Sequence, residues 1–353
     1  MNLQEICKQK KLKVHQLAQL LAIDSSLMSR ILSGKRKPTA PQIQKIASAL
    51  DLPHSDVLSH FLSQEIVEII QEYPQLAPKI LSLAEERISY LLQETNFSVI
   101  QPSKKIISKL TQVSALFNKW QQVRPLDALQ LEKMQAYFHT AYTYESNRIE
   151  GNTLTLQETH LVINEGITIG GKSMREHLEA INHSNAIQLV QDFVQNRLGL
   201  NSQVLKEIHR LILNGIQDQY AGKYRSVQVM ITGSQHVPPA PYLLDKLMED
   251  YFLFYEQNLG KSHPVLLAAE MHERLVTIHP FVDGNGRTAR LVMNLILLQH
   301  GYPIINIKGG KKSRLAYYNA LEKVQLQHDP TDFHTLVIDY ALSSLNAHLE
   351  LAE

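Results

Sequence analysis

Cysteine is almost absent from this sequence of 353 residues, since Cys7 is the only one. A single thiol cannot form an internal disulfide bond or a zinc site built from several cysteines. The apolar run 291–298 is short and is interrupted by Asn294, so no membrane span is expected. Charged residues near the amino terminus, among them Glu5 and Lys8, argue against a signal peptide. These absences favour a cytoplasmic protein.

Internal repeats and low-complexity tracts are also missing. The length exceeds the size at which single cores usually stop growing, which predicts two or three domains. A composition with 44% hydrophobic and 20% charged residues is ordinary for a soluble globular protein. Helical periodicity dominates outside one segment, so we predict a predominantly all-α fold. We place the domains at residues 1–60, 61–125 (a helical linker region) and 126–353.

The net charge of +1 is unevenly distributed. The first 60 residues contain nine basic and four acidic side chains, and the remainder of the chain is mildly acidic. A basic terminal domain of this kind suggests a polyanionic partner. A solvated basic face without a partner is the alternative.

Residues 279–290 read HPFVDGNGRTAR and combine several functional groups in a short stretch. His279 is a candidate general base, because an imidazole has a pKa near working pH. Asp283 can ligate Mg²⁺ as a single carboxylate, which leaves other coordination positions for water and phosphate oxygens. Phe281 is interpreted as an anchor for the loop in the core.

The same stretch predicts a phosphate cradle. Gly284 and Gly286 remove side chains where backbone N–H groups must approach an anion. Arg287 and Arg290 supply fork-shaped donors for phosphate oxygens. A helix that begins near Arg287 would add the attraction of its amino-terminal end. Together these residues indicate a site that holds a nucleoside triphosphate and transfers part of it.

This segment resembles the signature of the Fic (Fido) family, H-P-F-x-D/E-G-N-G-R-x-x-R, at every fixed position. Residues 146–151 (SNRIEG) are similar to the inhibitory motif of the family, S/T-x-x-x-E-G/N. The region of similarity runs from about residue 131 to residue 338. Further matching segments are 222–225, 227–239 and Tyr317-Tyr318.

The resemblance implies transfer of AMP from ATP to a protein hydroxyl, with release of pyrophosphate. In that reading His279 accepts the proton of a target serine, threonine or tyrosine, and Asp283 holds Mg²⁺. Relatives also transfer UMP, phosphocholine or phosphate, but Gly286 and Arg290 favour AMP here. The ATP-binding residues that the resemblance assigns are Gly284, Asn285, Gly286, Arg287, Arg290, Tyr317 and Gln325.

Glu150 resembles the inhibitory glutamate of the family, with Ser146 at the start of the motif. The resemblance implies that Glu150 pairs with Arg290 and prevents productive seating of the γ-phosphate. Inhibition would then act within one chain or across a homodimer. A helix-capping role is the alternative for Glu150. In some relatives the same glutamate also takes part in removing AMP from a modified protein, which is a second activity that the resemblance suggests.

Residues 226–236 are the exception to the helical pattern. Val227, Val229 and Ile231 alternate with other residues before a turn, which predicts a small β-hairpin. In the family the matching hairpin is a flap that holds the target by strand addition. A loop that braces the site is the alternative. The flap residues expected to meet the protein target, which includes the chain itself, are Val229, Ile231, Thr232 and Gly233.

The first 60 residues resemble the helix-turn-helix of the lambda-repressor-like (XRE) family. Short helical stripes are separated by a turn at 22–24, and residues 25–33 would form the recognition helix. Basic residues after this helix would bind the DNA backbone. The predicted DNA-binding residues are Ser25, Ser26, Ser29, Arg30, Lys35 and Arg36. A helical bundle that serves dimerisation or partner docking is the alternative.

Two further histidines, His272 and His236, lie in the region of similarity. His272 lies seven residues before His279, and we interpret it, like His236, as a packing or hydrogen-bonding residue rather than a second base. A different functional class is a DNA-binding transcriptional regulator whose nucleotide site senses ATP without turnover.

Overall fold

The computed structural model describes residues 6–7, 10, 12–92 and 99–352, with the side chains in these ranges except those of residues 86, 87 and 90–92. Within them the chain forms 15 α-helices, one short 3₁₀ turn and no β-strand. The predominantly α-helical fold predicted from the sequence is confirmed. The chain divides into two compact units, Met1–Gln93 and Glu94–Glu353.

The first unit is built from short helices around one apolar core. Asp24 begins the second of them, because its carboxylate accepts hydrogen bonds from the backbone N–H groups of Ser26 (2.8 Å) and Leu27 (3.1 Å). The core includes Leu17 and Met28, which are both fully buried. The helices are α1 (Val14–Leu21), α2 (Ser25–Leu32), α3 (Ala40–Leu50), α4 (His54–Ile70) and α5 (Ala77–Leu92).

The second unit is larger, and a central pair of helices, α12 and α13, lies at its core. Its helices are α6 (Lys104–Gln122), α7 (Ala128–Ile149), α8 (Leu156–Glu165), α9 (Met174–Gln195), α10 (Ser202–Leu213), α11 (Leu244–Asn258), α12 (Pro264–Ile278), α13 (Asn285–Gln299), α14 (Lys311–Gln327) and α15 (Thr331–Ala352). Nearly all residues of α12 and α13 are buried, and the two helices pack against each other. The loop that joins them is therefore anchored in the core on both sides.

The compact units do not coincide with the predicted boundaries after residues 60 and 125. Helix α4 continues through residue 60 to Ile70. Helix α6, which the sequence placed in a linker, packs along α15 and contributes Val113 and Trp120 to the core of the second unit. None of the helices in the described ranges combines the length and apolar character needed to cross a bilayer.

The predicted β-hairpin at residues 226–236 is wrong, because this segment is an irregular loop with a turn at its tip. A backbone hydrogen bond from Ser234 to Ile231 (3.1 Å) closes the turn, but no ladder of backbone bonds joins the arms in the part of the chain described. Pro238 and Pro239 lack the N–H donors that a second strand would need. An alternating pattern does not form a strand without such a partner.

Candidate active site

Residues 279–284 connect α12 to α13 through two left-handed backbone positions. His279 ends α12 with a φ of 52°, and Gly284 begins α13 with a φ of 79°. The amide oxygen of Asn285 accepts a hydrogen bond from the backbone N–H of Phe281 (3.0 Å), and its nitrogen donates to the Phe281 carbonyl (2.9 Å). Asn285, which was expected to bind phosphate oxygens, therefore braces the loop in this structure.

His279 is held as a neutral imidazole. Its Nδ1 lies 3.3 Å from the carbonyl oxygen of Val276. Because a carbonyl oxygen only accepts, Nδ1 carries the proton and Nε2 keeps its lone pair. Burial is the main cause that lowers the pKa of His279 to about 4, and it outweighs the Val276 carbonyl, which favours the protonated ring. Nε2 is thus able to accept a proton near neutral pH.

Asp283 is an ionised carboxylate at the beginning of α13. Its Oδ1 accepts a hydrogen bond from the backbone N–H of Gly284 (2.6 Å), and its Oδ2 accepts one from Nη2 of Arg175 (2.9 Å). Burial raises the pKa of this carboxyl, but Arg287, the Gly284 N–H and Arg175 together outweigh burial and lower the pKa below its usual value. The negative charge of Asp283 is therefore stable near neutral pH.

A magnesium ion fits Asp283 as its one protein carboxylate. The Asp283 side chain is 32% exposed and lies beside a helix end that attracts phosphate. Phosphate oxygens and water would complete the coordination of the ion there. In the described ranges no cluster of three or more His, Cys, Asp or Glu residues could enclose a metal. The residues thus suit an ion shared with a nucleotide, for which Arg175 would have to release one carboxylate oxygen.

Arg290 is fully buried on α13 and has a partner on each of its nitrogens. Nε donates to Oγ of Ser146 (3.0 Å), and Nη1 donates to the hydroxyl of Tyr317 (3.3 Å). Nη2 donates to the Ser146 carbonyl (2.9 Å) and to Oε1 of Glu150 (2.7 Å). The ion pair expected between Glu150 and Arg290 is therefore present. Although burial lowers the pKa of Arg290, Glu150 and Tyr317 more than compensate, so the guanidinium stays charged.

The Glu150 carboxylate occupies the space beside the first turn of α13. Glu150 follows the last residue of α7 as its C-cap. A β-carbon added to Gly286 would lie 2.5 Å from Oε1 of Glu150 and 3.1 Å from Nη1 of Arg290. The carboxylate therefore fills the volume that the glycine leaves open. An anion that reaches this turn must compete with Glu150 for both space and the guanidinium.

Tyr317 is a hydrogen-bond partner of Arg290 in the core. The residue is 1% exposed, and its hydroxyl accepts from Arg290 and donates to Nε2 of His272 (3.1 Å). The His272 ring is buried against Phe333, with ring centroids 5.0 Å apart. This places His272 in a packing and hydrogen-bonding position. Tyr317 has no free face for the nucleoside contact expected of it, whereas the neighbouring Tyr318 is 39% exposed.

The sequence analysis missed His209, which holds the signature loop from α10. Its ring stacks on Phe281 with centroids 3.6 Å apart and an interplanar angle of 7°. Nε2 donates to the Asp283 carbonyl (2.9 Å), and Nδ1 accepts from the Gly222 N–H (2.9 Å). Burial is the main cause that lowers the pKa of His209 to about 4. A single histidine in an amphipathic helix carries no spacing signal that would have identified this role.

A charge network on α9, also missed, supports the other face of the loop. Arg287 Nη1 lies 3.3 Å from Oε1 of Glu179, and the same oxygen accepts a hydrogen bond from Nε of Arg175 (3.1 Å). The second Glu179 oxygen accepts from the side chain of Asn152 (3.0 Å), just after the inhibitory motif. Arg287 also lies 3.5 Å from Asp283. Helix α9 thus balances the charges of the signature residues.

The loop 226–236 is fixed beside the signature by Arg225. This buried arginine donates to the backbone carbonyls of His279 (Nε, 2.8 Å), Val227 (Nη1, 3.1 Å) and Pro239 (Nη2, 2.6 Å). Arg225 therefore links both arms of the loop to His279, the residue that follows α12. The predicted target-contacting residues are half-buried or exposed on this loop: Val229, Ile231, Thr232 and Gly233.

In the first unit, α2 presents a polar face to solvent. Its opposite face, with Met28 and Ile31, is buried in the core. The turn before α2 contains Ala22 in a left-handed conformation with a φ of 53°. All the residues predicted to contact DNA are exposed: Ser25, Ser26, Ser29, Arg30, Lys35 and Arg36.

Comparison with protein families gives two matches. Residues 199–297 match the Fic/DOC family. Residues 2–61 match the Cro/C1-type HTH DNA-binding domain. The two matched regions lie in different compact units of the chain.

Several known proteins are similar to this chain. The chain is 37% identical over 224 residues to a "Protein adenylyltransferase Fic" of Drosophila grimshawi and 40% identical over 193 residues to one of Nematostella vectensis. These alignments cover 63% and 54% of the chain, but only 45% and 43% of the relatives, so the chain spans less than half of their length. A Fic-domain-containing signaling protein from Bacteroides thetaiotaomicron superimposes with a TM-score of 0.61 and 31% identity, over 68% of this chain and 95% of that one.

Proposed function

The chain belongs to the Fic/DOC family, and from that premise we propose that it transfers AMP from ATP to a serine, threonine or tyrosine hydroxyl of a protein. The observation that carries this proposal is the loop 279–284, which joins a neutral imidazole to the amino-terminal end of α13. A base and an anion-binding helix end are the two parts that nucleotidyl transfer requires.

In the proposed step the target oxygen attacks the α-phosphorus of ATP, and the bond from this phosphorus to the bridging oxygen breaks. Nε2 of His279 accepts the hydroxyl proton, and pyrophosphate leaves. The hydrogen bond from Nδ1 to the Val276 carbonyl orients the ring for this transfer. The target is a protein, and the chain itself is one candidate, with loop 226–236 as the surface that positions the acceptor segment.

The beginning of α13 binds the triphosphate. Backbone N–H groups at Gly286 and Arg287 are available for phosphate oxygens, because the first turn of a helix leaves its donors without intrahelical partners. The guanidinium groups of Arg287 and Arg290 bind the outer phosphates. Asp283 would hold Mg²⁺, which when bound offsets negative charge on the departing pyrophosphate.

The nucleoside lies toward α14 in this proposal. Tyr318 presents an exposed ring there, and Gln325 is half-buried on the same helix. Tyr317 contributes indirectly, because its hydroxyl positions Arg290.

Glu150 acts as a brake on this reaction. Arg290 is 1% exposed and is fixed by its other partners, whereas the Glu150 side chain is 31% exposed and can rotate away. A γ-phosphate that reaches Arg290 must displace this carboxylate, because one guanidinium edge cannot serve both anions. The wild-type chain therefore holds ATP in an unproductive arrangement until Glu150 moves.

The direct test compares labelling of the wild-type and Glu150→Gly chains with ATP labelled at the α-phosphorus. We expect Glu150→Gly to raise labelling at least about tenfold, the effect of losing about 1.4 kcal/mol of competing interaction. Adding His279→Ala should abolish the label. The matched control is Glu165→Gly, which removes an exposed glutamate from the end of α8. Equal labelling of wild type and Glu150→Gly would contradict the inhibitory role of Glu150. Unaltered labelling after His279→Ala would contradict the role of His279 as the base.

Mass spectrometry of the Glu150→Gly protein purified from cells, where group donors other than ATP are also present, decides between related reactions. An adduct with the mass of AMP supports the proposal, whereas UMP, phosphocholine or phosphate would contradict it. Removal of AMP by Glu150 is a second candidate activity, supported by the exposed position of its carboxylate beside the cradle. It is tested by mixing labelled target with wild-type protein, and an absence of released AMP would exclude it.

We also propose that the first unit binds DNA, which the family match of residues 2–61 and the exposed basic residues after α2 support. A gel shift with DNA upstream of the chain's own gene should be lost in Arg30→Gln with Arg36→Gln and retained in Lys79→Gln, an exposed lysine on α5. Retention of the shift in the double variant would contradict these contacts. DNA binding without any labelling by ATP would favour the transcriptional regulator that only senses ATP.

A homodimer is part of the same proposal, because helix-turn-helix proteins read two half-sites as dimers. Large apolar side chains are exposed on α4 and α5, and such patches mark interaction surfaces. We expect Ile69→Glu to convert a dimer to a monomer in sedimentation experiments and Leu315→Glu, on α14, to leave it unchanged. A monomeric wild type would contradict the proposal. The exposed apolar residues include Ile66, Val67, Ile69, Leu81 and Ile88.

A further inference from the structure

A cavity of about 510 Å³ lies in the second unit, and no residue of the signature or the inhibitory motif lines it. It is bordered by α6, α7, α9, α15 and the end of α13 with the segment that follows it. We call it the Trp120 cavity. Its aromatic wall consists of Trp120, Phe138, Tyr302 and His348. A cavity of this size with an aromatic lining and few polar groups is typical of a small-molecule site.

The aromatic wall is already organised around stacked rings. Phe138 and His348 lie parallel, with centroids 3.7 Å apart and an interplanar angle of 10°. Trp120 meets the His348 ring edge-on at 5.6 Å. A planar ring that enters the cavity would extend this arrangement without rearranging the core.

Trp120 contributes its ring, and not its N–H group, to this wall. The residue is 4% exposed, and its indole Nε1 is buried with no hydrogen-bond partner in the described part of the chain. Because almost none of the Nε1 surface is accessible, a molecule in the cavity meets the aromatic surface of Trp120 and not this donor.

The charged residues at the cavity favour an anionic ligand. Arg124 contributes a cation, and its guanidinium carbon lies 5.5 Å from the centroid of the Trp120 ring. No acidic residue lines the cavity. An amine would therefore find no counter-ion, whereas a carboxylate would find a cation. The remaining polar groups are the amides of Gln135, Gln188, Gln191 and Gln195.

We propose that the Trp120 cavity binds a planar aromatic carboxylic acid. The ring packs against Phe138 and His348, and the carboxylate pairs with Arg124. This site is additional to the nucleotide site and does not depend on the proposed transfer reaction.

Trp120 is also the only tryptophan of the chain, so its fluorescence reports on the cavity. The full chain is titrated with 4-hydroxybenzoate and quinoline-2-carboxylate, and binding is confirmed by calorimetry. We expect saturable binding of both acids and none of benzylamine or cyclohexanecarboxylate, which lack the charge or the planar ring. Absence of saturable binding of either acid, or equal binding of the amine, would overturn the proposal.

Three variants locate the binding site. Arg124→Gln should weaken binding about tenfold, the loss expected for about 1.4 kcal/mol, and Arg197→Gln, an exposed arginine outside the cavity, should not change it. Trp120→Phe retains an aromatic ring in the wall, so calorimetry should show that binding is retained. Gln191→Phe, on the half-buried rim, should block binding even if Trp120→Phe unfolds the protein. Unchanged affinity in Arg124→Gln and Gln191→Phe would overturn the proposal that the acid binds in the Trp120 cavity.

Discussion

At the scale of single residues, the proposed transfer depends on how one guanidinium and one imidazole are held. Glu150, Arg290 and His279 were identified from the sequence because each occupies a fixed position in a short motif. His209 and Arg175 were not, because their contacts with Asp283 cross 74 and 108 residues. Long-range contacts of this kind leave no local pattern, so only the folded structure brings these residues to the site.

The first prediction concerns the pH dependence of the Glu150→Gly chain. His279 must be unprotonated to act as a base, and its pKa is lowered to about 4. Activity should therefore be lost only as the pH falls through about 4, whereas an ordinary histidine would lose half of it near pH 6.5. Glu150 raises this pKa, so its removal does not move the inflection upward.

The measurement is kcat/KM for ATP between pH 5 and pH 8, which reports on the free enzyme. Circular dichroism at each pH serves as the control for folding. A halving of kcat/KM near pH 6.5 in a folded protein would contradict the role of a buried, neutral His279.

At the scale of elements, Glu150 follows α7, and the loop that carries His279 and Asp283 joins α12 to α13. Helical periodicity predicted helices in this part of the chain, because this signal is local. The loop 226–236 was mispredicted as a hairpin, since its conformation is set by Arg225 and by a hydrogen bond from His236 to the Thr277 carbonyl (2.9 Å). Tertiary side-chain contacts of this type override a short alternating pattern.

The second prediction concerns the hydrogen bonds by which Arg225 fixes this loop. Arg225→Met removes three hydrogen bonds to backbone carbonyls, each of which contributes about 0.5–1.5 kcal/mol or more. Amide hydrogen exchange in residues 226–236 should accelerate at least about tenfold, and labelling of the target by the Glu150→Gly chain should fall. Arg210→Met, which removes an exposed arginine of α10, is the matched control. Unchanged exchange in Arg225→Met would show that other contacts hold the loop.

At the scale of the whole molecule, each compact unit has its own main hydrophobic core among the described residues. The core of the first unit and that of the second share no residue. The sequence predicted a basic terminal domain and a larger catalytic one from charge and motifs. It could not predict that α6 belongs to the larger core, because the packing of α6 on α15 joins segments that are far apart in the chain.

The third prediction is that the two cores can be weakened separately. Ile46→Ala in the first unit should cost about 2–5 kcal/mol and lower one thermal transition without reducing labelling in the Glu150→Gly background. Leu291→Ala in the second unit should lower the other transition and reduce labelling, since Leu291 is buried in α13. Scanning calorimetry together with the labelling assay checks both. Loss of labelling in folded Ile46→Ala would contradict the separation.

The competition for Arg290 is tested most directly by a double-mutant cycle in the initial rate of AMP transfer. The rate is measured for the wild type, Glu150→Gly, Arg290→Met and the double variant. If Glu150 inhibits through Arg290, Glu150→Gly should raise the rate at least about tenfold when Arg290 is present and should have little effect when residue 290 is methionine. An equal rise in both backgrounds would show that Glu150 inhibits without the guanidinium and would contradict the account.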